Sequence, residues 1–138
     1  MKGALEGGRP KNDLLVSPQH RVFICDWRAQ LFFGQESVLV PAKGLVNGTT
    51  IFIDGPRDNV EYFHILFDKH EVIATEGALT ESFHPADYTL GAIDHDARSE
   101  LFMLFPDLQG DRDTFGPTGH YVTKMWEAGL LPFYQEAA

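Results

Sequence analysis

Between Asp13 and Phe83 the apolar residues fall into short runs: LLV at 14–16, RVFIC at 21–25, QLFF at 30–33, SVLVP at 37–41, TIFI at 50–53, VEYFHILF at 60–67 and HEVIA at 70–74. Each run is bounded by Gly, Pro, Asn or Asp. Val, Ile and Phe suit a pleated, half-buried surface and the bounding residues suit turns, so these runs predict short strands with close connections. Asn47-Gly48-Thr49 carries a hairpin-type signal, because Asn and Gly tolerate positive φ, and PAKGLV just before it can form one helical turn. The first dozen residues, rich in Gly and Pro, predict an exposed lead-in.

After Phe83 the alternation gives way to helical spacing. One helix is expected to start near Asp94 or Asp96, whose carboxylates suit first-turn amides, and to carry Leu101, Phe102, Leu104 and Phe105 as a core stripe up to Pro106. A second is expected after Pro117, through Tyr121, Val122, Met125, Trp126 and Leu130, ending at Pro132. The chain therefore divides into a lead-in over 1–12, a mainly β part over 13–83 and a short α-helical tail over 84–138, with no internal repeat.

The 138 residues include eleven Phe, four Tyr and two Trp, enough to anchor one core. Thirteen Gly and eight Pro agree with a turn-rich β domain. A formal net charge of −9 argues against binding nucleic acid through bulk charge. No stretch approaches the ~18 apolar residues that would cross a bilayer, and the N-terminus has no apolar core of a cleavable signal. The pattern thus predicts a soluble protein without specifying its compartment. With one cysteine, Cys25, an intramolecular disulfide and a multi-cysteine zinc site are both excluded.

Candidate chemistry concentrates in DLLVSPQHRVF, where Ser17 and His20 stand in an S-x-x-H spacing directly after an apolar run. A turn at Pro18 would bring hydroxyl and imidazole toward one point, where the imidazole can donate to a peptide nitrogen and the hydroxyl can hold a carbonyl. The plainer alternative is a turn cap beside a surface histidine. His64 and His70, six apart, would share a strand face if the strand ran unbroken, with His20, Glu61 or Asp68 as a guessed third metal ligand. Cys25, inside an apolar run, reads as a buried structural thiol. Asp111 and Asp113 open like a calcium loop, but the twelfth position is Val122 where glutamate is required.

Taken together, DLLVSPQHRVF, SVLVPAKGLVNGTTI and VEYFHILFDKHEVIATEGALTESF resemble the hedgehog/intein, or Hint, family in its bacterial form, over residues 3 to about 83. The resemblance implies the C-terminal part of a Hint-type β horseshoe and self-processing through an N-terminal acyl shift, without a cofactor. It puts His20 in the role of the histidine that activates the scissile amide, with Ser17 replacing the usual threonine. His70, Ile73, Ala74, Gly77 and Leu79 follow the family's closing strand pair, so the implied catalytic set is His20, Ser17 and His70.

Ser82 and Phe83 stand where splicing inteins end in His-Asn, which leaves no side-chain amide for C-terminal cleavage. The family's nucleophile, a first-residue Cys or Ser, is also without a counterpart. The expectation is a C-terminal fragment, inactive alone, whose partner is the missing N-terminal Hint half or a fused flanking protein. Leu14, Val16, Ile51, Ile65 and Phe67 would then lack cover. Two other classes compete: a non-catalytic β-rich protein-interaction module, and a metal-dependent hydrolase on His20, His64 and His70.

Overall fold

The computed structural model describes residues 1–56, 59–61, 63–85, 94–109 and 116–131. It contains two compact units, one made of Met1–Tyr62, Val72–Glu81 and His120–Ala138, the other of Phe63–Glu71 and Ser82–Gly119.

The first unit is built on a five-stranded mixed sheet in the order β3-β4-β1-β2-β5. β1 (Arg21–Ile24) alternates, turning Val22 and Ile24 inward, while all four residues of β2 (Val38–Pro41) are buried. The VLVP run is the continuous apolar stretch of a strand covered on both faces. β1 and β2 pair antiparallel from Arg21↔Pro41 to Ile24↔Val38. β3 (Val72–Thr75) and β4 (Ala78–Glu81) form a hairpin closed by Glu76 and Gly77, at φ 52° and 81°. Positive φ at both loop residues gives the twist that flanking strands need. The core consists of Val22, Ile24, Ala29, Val38, Val40, Leu45, Ala128 and Leu131.

Several expected strands are absent among the described residues. QLFF lies in a helix, α1 (Trp27–Phe33), because Asp26 caps it by accepting from the Arg28 amide and Gly34 ends it in the left-handed region. Among the described residues the runs at 14–16, 50–53 and 60–67 form no strand, and the Phe83 amide donating to the Ile65 carbonyl at 2.8 Å extends into no ladder. The helical turn at Ala42–Leu45 is present. The Asn47 signal makes a loop instead of a hairpin: the Asn47 side-chain oxygen accepts from the amides of Thr49, Thr50 and Ile51. The lead-in closes on itself through a Gly3 N–H to Pro10 carbonyl bond and a bridge between Leu5 and Arg9, with Ala4 and Pro10 buried and most of its other residues exposed.

In the tail, α2 (His95–Leu104) starts where expected, with Asp94 accepting from the amides of Asp96 and Ala97. Its stripe is not a core stripe: Leu104 is 68% exposed and no α2 residue is fully buried. The second expected helix is shorter. Tyr121–Val122 form β5, parallel to β2, and only Met125–Ala128 form α3. The open edge of β2 outweighs helical spacing here, since the Thr123 amide also donates to the Leu39 carbonyl at 2.9 Å.

Two devices tie the first unit together. Gly44 in the Ala42–Leu45 turn lies so close to α3 that a Cβ there would collide with the Ala128 methyl. Arg28, a residue 5% exposed, forks its side chain onto Asp26 (Nε to Oδ1 3.0 Å, Nη2 to Oδ2 2.6 Å) and reaches Glu6 at 3.2 Å. That guanidinium holds the Asp26 carboxyl below its ordinary value near 3.8.

Gly44→Ala should lower stability by about 1–3 kcal/mol in urea unfolding, because the backbone must move to admit the methyl. The Asp26 contribution carries a definite sign. A depressed carboxyl stabilises the fold above its unfolded pKa and loses that contribution as pH falls through the folded value. Unfolding free energy should therefore drop as pH is lowered from about 4, and drop less steeply in Asp26→Asn.

Candidate functional site

The residues from Ser17 to Arg21 form a turn running into β1. The His20 amide donates to the Ser17 carbonyl at 3.1 Å, closing Ser17-Pro18-Gln19-His20 into one turn. Pro18 presets the backbone angle there. The Ala42 amide donates to the His20 carbonyl at 2.8 Å, and the Lys43 amide to the Pro18 carbonyl at 2.9 Å. The backbone from Ser17 to His20 is therefore one turn pinned to the end of the β1–β2 ladder.

Arg21 continues the pinning. Its amide donates to Glu81 Oε1 at 3.0 Å and its guanidinium Nη1 to Oε2 at 3.1 Å. Glu81, 2% exposed, closes the end of the β1–β4 pairing, one register step beyond Val22↔Thr80. Sequence reasoning overlooked both residues. The available signal was Arg21 directly after the motif histidine and a carboxylate at the end of the ALTE segment.

Beside the turn lies a groove of about 460 Å³ whose walls include Leu14, Val16, Pro18, Ala42, Ile51 and Phe52. Leu15, Phe52 and Ile53 are exposed around it, whereas Leu14, Val16 and Ile51 are half-buried. Among the described residues, 14–16 and 52–53 make no backbone–backbone hydrogen bond.

His70 is placed in the second unit, where its Nδ1 contacts the Thr118 carbonyl at 3.0 Å and its ring meets that of His84 edge-on at 5.3 Å. His84, which sequence reasoning did not single out, is buried with Nε2 2.9 Å from the Gly116 carbonyl. The His64 ring packs against Phe83 at 4.8 Å, and the water it loses holds its pKa below the ordinary imidazole value. Ile65 and Phe67 are exposed. Ser82 is locked twice onto Glu71, its amide donating to the Glu71 carbonyl and its hydroxyl accepting from the Glu71 amide. No group of three His, Cys, Asp or Glu arranged to hold a metal occurs among the described residues. Asp111 and Asp113 lie outside them.

Cys25 corrects an expectation: it is exposed, not buried. It follows the last β1 residue and lines a small surface hollow with Arg9 and Arg28, so the apolar run before it does not carry its side chain into the core. Cys25→Ser should accordingly change stability by less than about 0.5 kcal/mol, and a maleimide should label the folded chain completely at one thiol.

Residues 1–87 match the family model described as Hint domain. No curated protein and no solved structure matches the chain. The matched span contains the SPQH turn, the strands β1 to β4 and the Glu81 clamp, and it covers more than half of the sequence. The chain belongs to the Hint domain family.

Proposed function

We propose that this chain supplies the amide-activating half of a Hint-type self-processing reaction, limited to the N-terminal bond, and acquires activity when a complementary segment carrying the nucleophile docks in the groove beside Pro18. The observation that carries this reading is the rigid SPQH turn set against an open apolar groove. Segments without backbone–backbone hydrogen bonds at 14–16 and 52–53, with Leu15, Phe52 and Ile53 exposed, suit strand addition by an apolar β segment. An N-terminal Hint segment carrying the nucleophile, or a flanking protein fused to it, is the partner we assign to the groove.

In the assembled site the partner's Cys or Ser attacks the carbonyl of the residue before it. A new carbon–sulfur or carbon–oxygen bond forms as the carbon–nitrogen bond breaks. The proton the thiol or hydroxyl loses is taken up by His20, which gives one to the departing nitrogen so that it leaves as an amine, and the Ser17 hydroxyl donates to the carbonyl oxygen as negative charge develops there. External thiol or water then attacks the resulting ester and releases the upstream segment. With Ser82 and Phe83 in place of His-Asn, the reaction has no side-chain amide to cleave the C-terminal bond.

The test joins a reporter to a family-type N-terminal Hint segment that begins with Cys, and supplies this chain fused or in trans. Thiol-dependent release of the reporter is expected. His20→Ala should slow it about 10²- to 10⁴-fold while the circular dichroism spectrum stays unchanged, and Ser17→Ala should slow it less. Equal kinetics for His20→Ala and the parent would overturn the assignment. Tight association with no release would favour the non-catalytic interaction module instead.

A further inference from the structure

His20 has to present its imidazole to one peptide nitrogen, and a side chain on a turn holds such a position only if its backbone is fixed. Two of the bonds that fix it are common loop geometry: its amide to the Ser17 carbonyl and its carbonyl from the Ala42 amide. The third is unusual. On the next residue, Arg21, the amide facing β4 meets a side-chain carboxylate, and the same carboxylate is gripped from its other oxygen by the Arg21 guanidinium. Burying such a pair costs desolvation that apolar residues of similar volume would avoid, so its presence here is not explained by stability.

From this we propose that Glu81 is the positioning residue for His20. Its carboxylate anchors the Arg21 amide and thereby fixes the direction from which the imidazole leaves the backbone, while the guanidinium, bound to the other oxygen, holds the carboxylate in place. The inference deepens the Hint reading, on which it rests, by adding a residue from the end of the closing hairpin to the machinery around the amide-activating histidine.

Nitrogen–proton NMR of the imidazoles in the 138-residue chain reads His20 without any cleavage reaction. The parent should show His20 as one sharp set of ring resonances in a single tautomer. Glu81→Gln keeps an acceptor for the Arg21 amide and should preserve that signature. Glu81→Asp keeps the charge but withdraws the acceptor by one methylene, and should shift His20 toward the averaged resonances of a free histidine. The paired change Arg21→Met with Glu81→Leu should leave the chain folded, since both charges go together. It should average the His20 signals in the same way and slow cleavage in the complemented chain about tenfold or more. His20 resonances that ignore Glu81→Asp and the paired change would overturn the positioning role, as would their loss in Glu81→Gln. Failure of the complemented parent to cleave, with this resonance pattern intact, would overturn only the Hint reading.

Discussion

Complete burial of β2 is the constraint on which the first unit depends. Val38 to Pro41 are buried because β1 and β5 pair with the two edges of β2 and the Ala42–Leu45 turn and α3 pack against it. The SPQH turn inherits its position from that requirement. The bond between the Ala42 amide and the His20 carbonyl is the antiparallel ladder carried one step past Arg21↔Pro41, so the ends of the β1–β2 pair hold the turn. Strand pairing thus places the candidate chemistry, and the side chains only finish it.

Charge acts in the interior as well as on the surface. An acidic chain would be expected to keep its carboxylates in water, yet Glu81 and Glu127 are buried and Asp26 is tied to a buried Arg28. Each carboxylate closes a place where a backbone amide would otherwise go unsatisfied: Glu81 at Arg21, Glu127 at Lys124 and Asp26 at Arg28. Such contacts select one geometry more than they add net stability, because the cost of desolvation offsets much of the attraction.

What the sequence disclosed follows the range of the forces involved. The SPQH turn, β1 and β2 rest on local signals, namely apolar runs and turn residues, and these were legible, as was the Asp94 cap of α2, whereas the closing hairpin was legible through the resemblance to the Hint family. The helix at Trp27–Phe33 carried its own markers, Asp26 before and Gly34 after, which the β-type composition of QLFF obscured. Tyr121–Val122 could not be read locally, since their state is decided by the edge of a strand more than eighty residues earlier. The Arg21–Glu81 contact spans sixty residues, and no periodicity announces a carboxylate that will be buried. Cys25 was misjudged for the opposite reason: its apolar neighbours stop one residue short of it.

β5 and α3 lie beyond the span matched by the family, yet they supply a strand to β2 and two residues, Ala128 and Leu131, to the core. The smallest autonomous unit is therefore larger than the family match. A boundary drawn at residue 87 would bare the edge of β2 to neighbouring molecules and take Ala128 and Leu131 out of the core, so β5 and α3 are structural parts of the first unit that the family match leaves out.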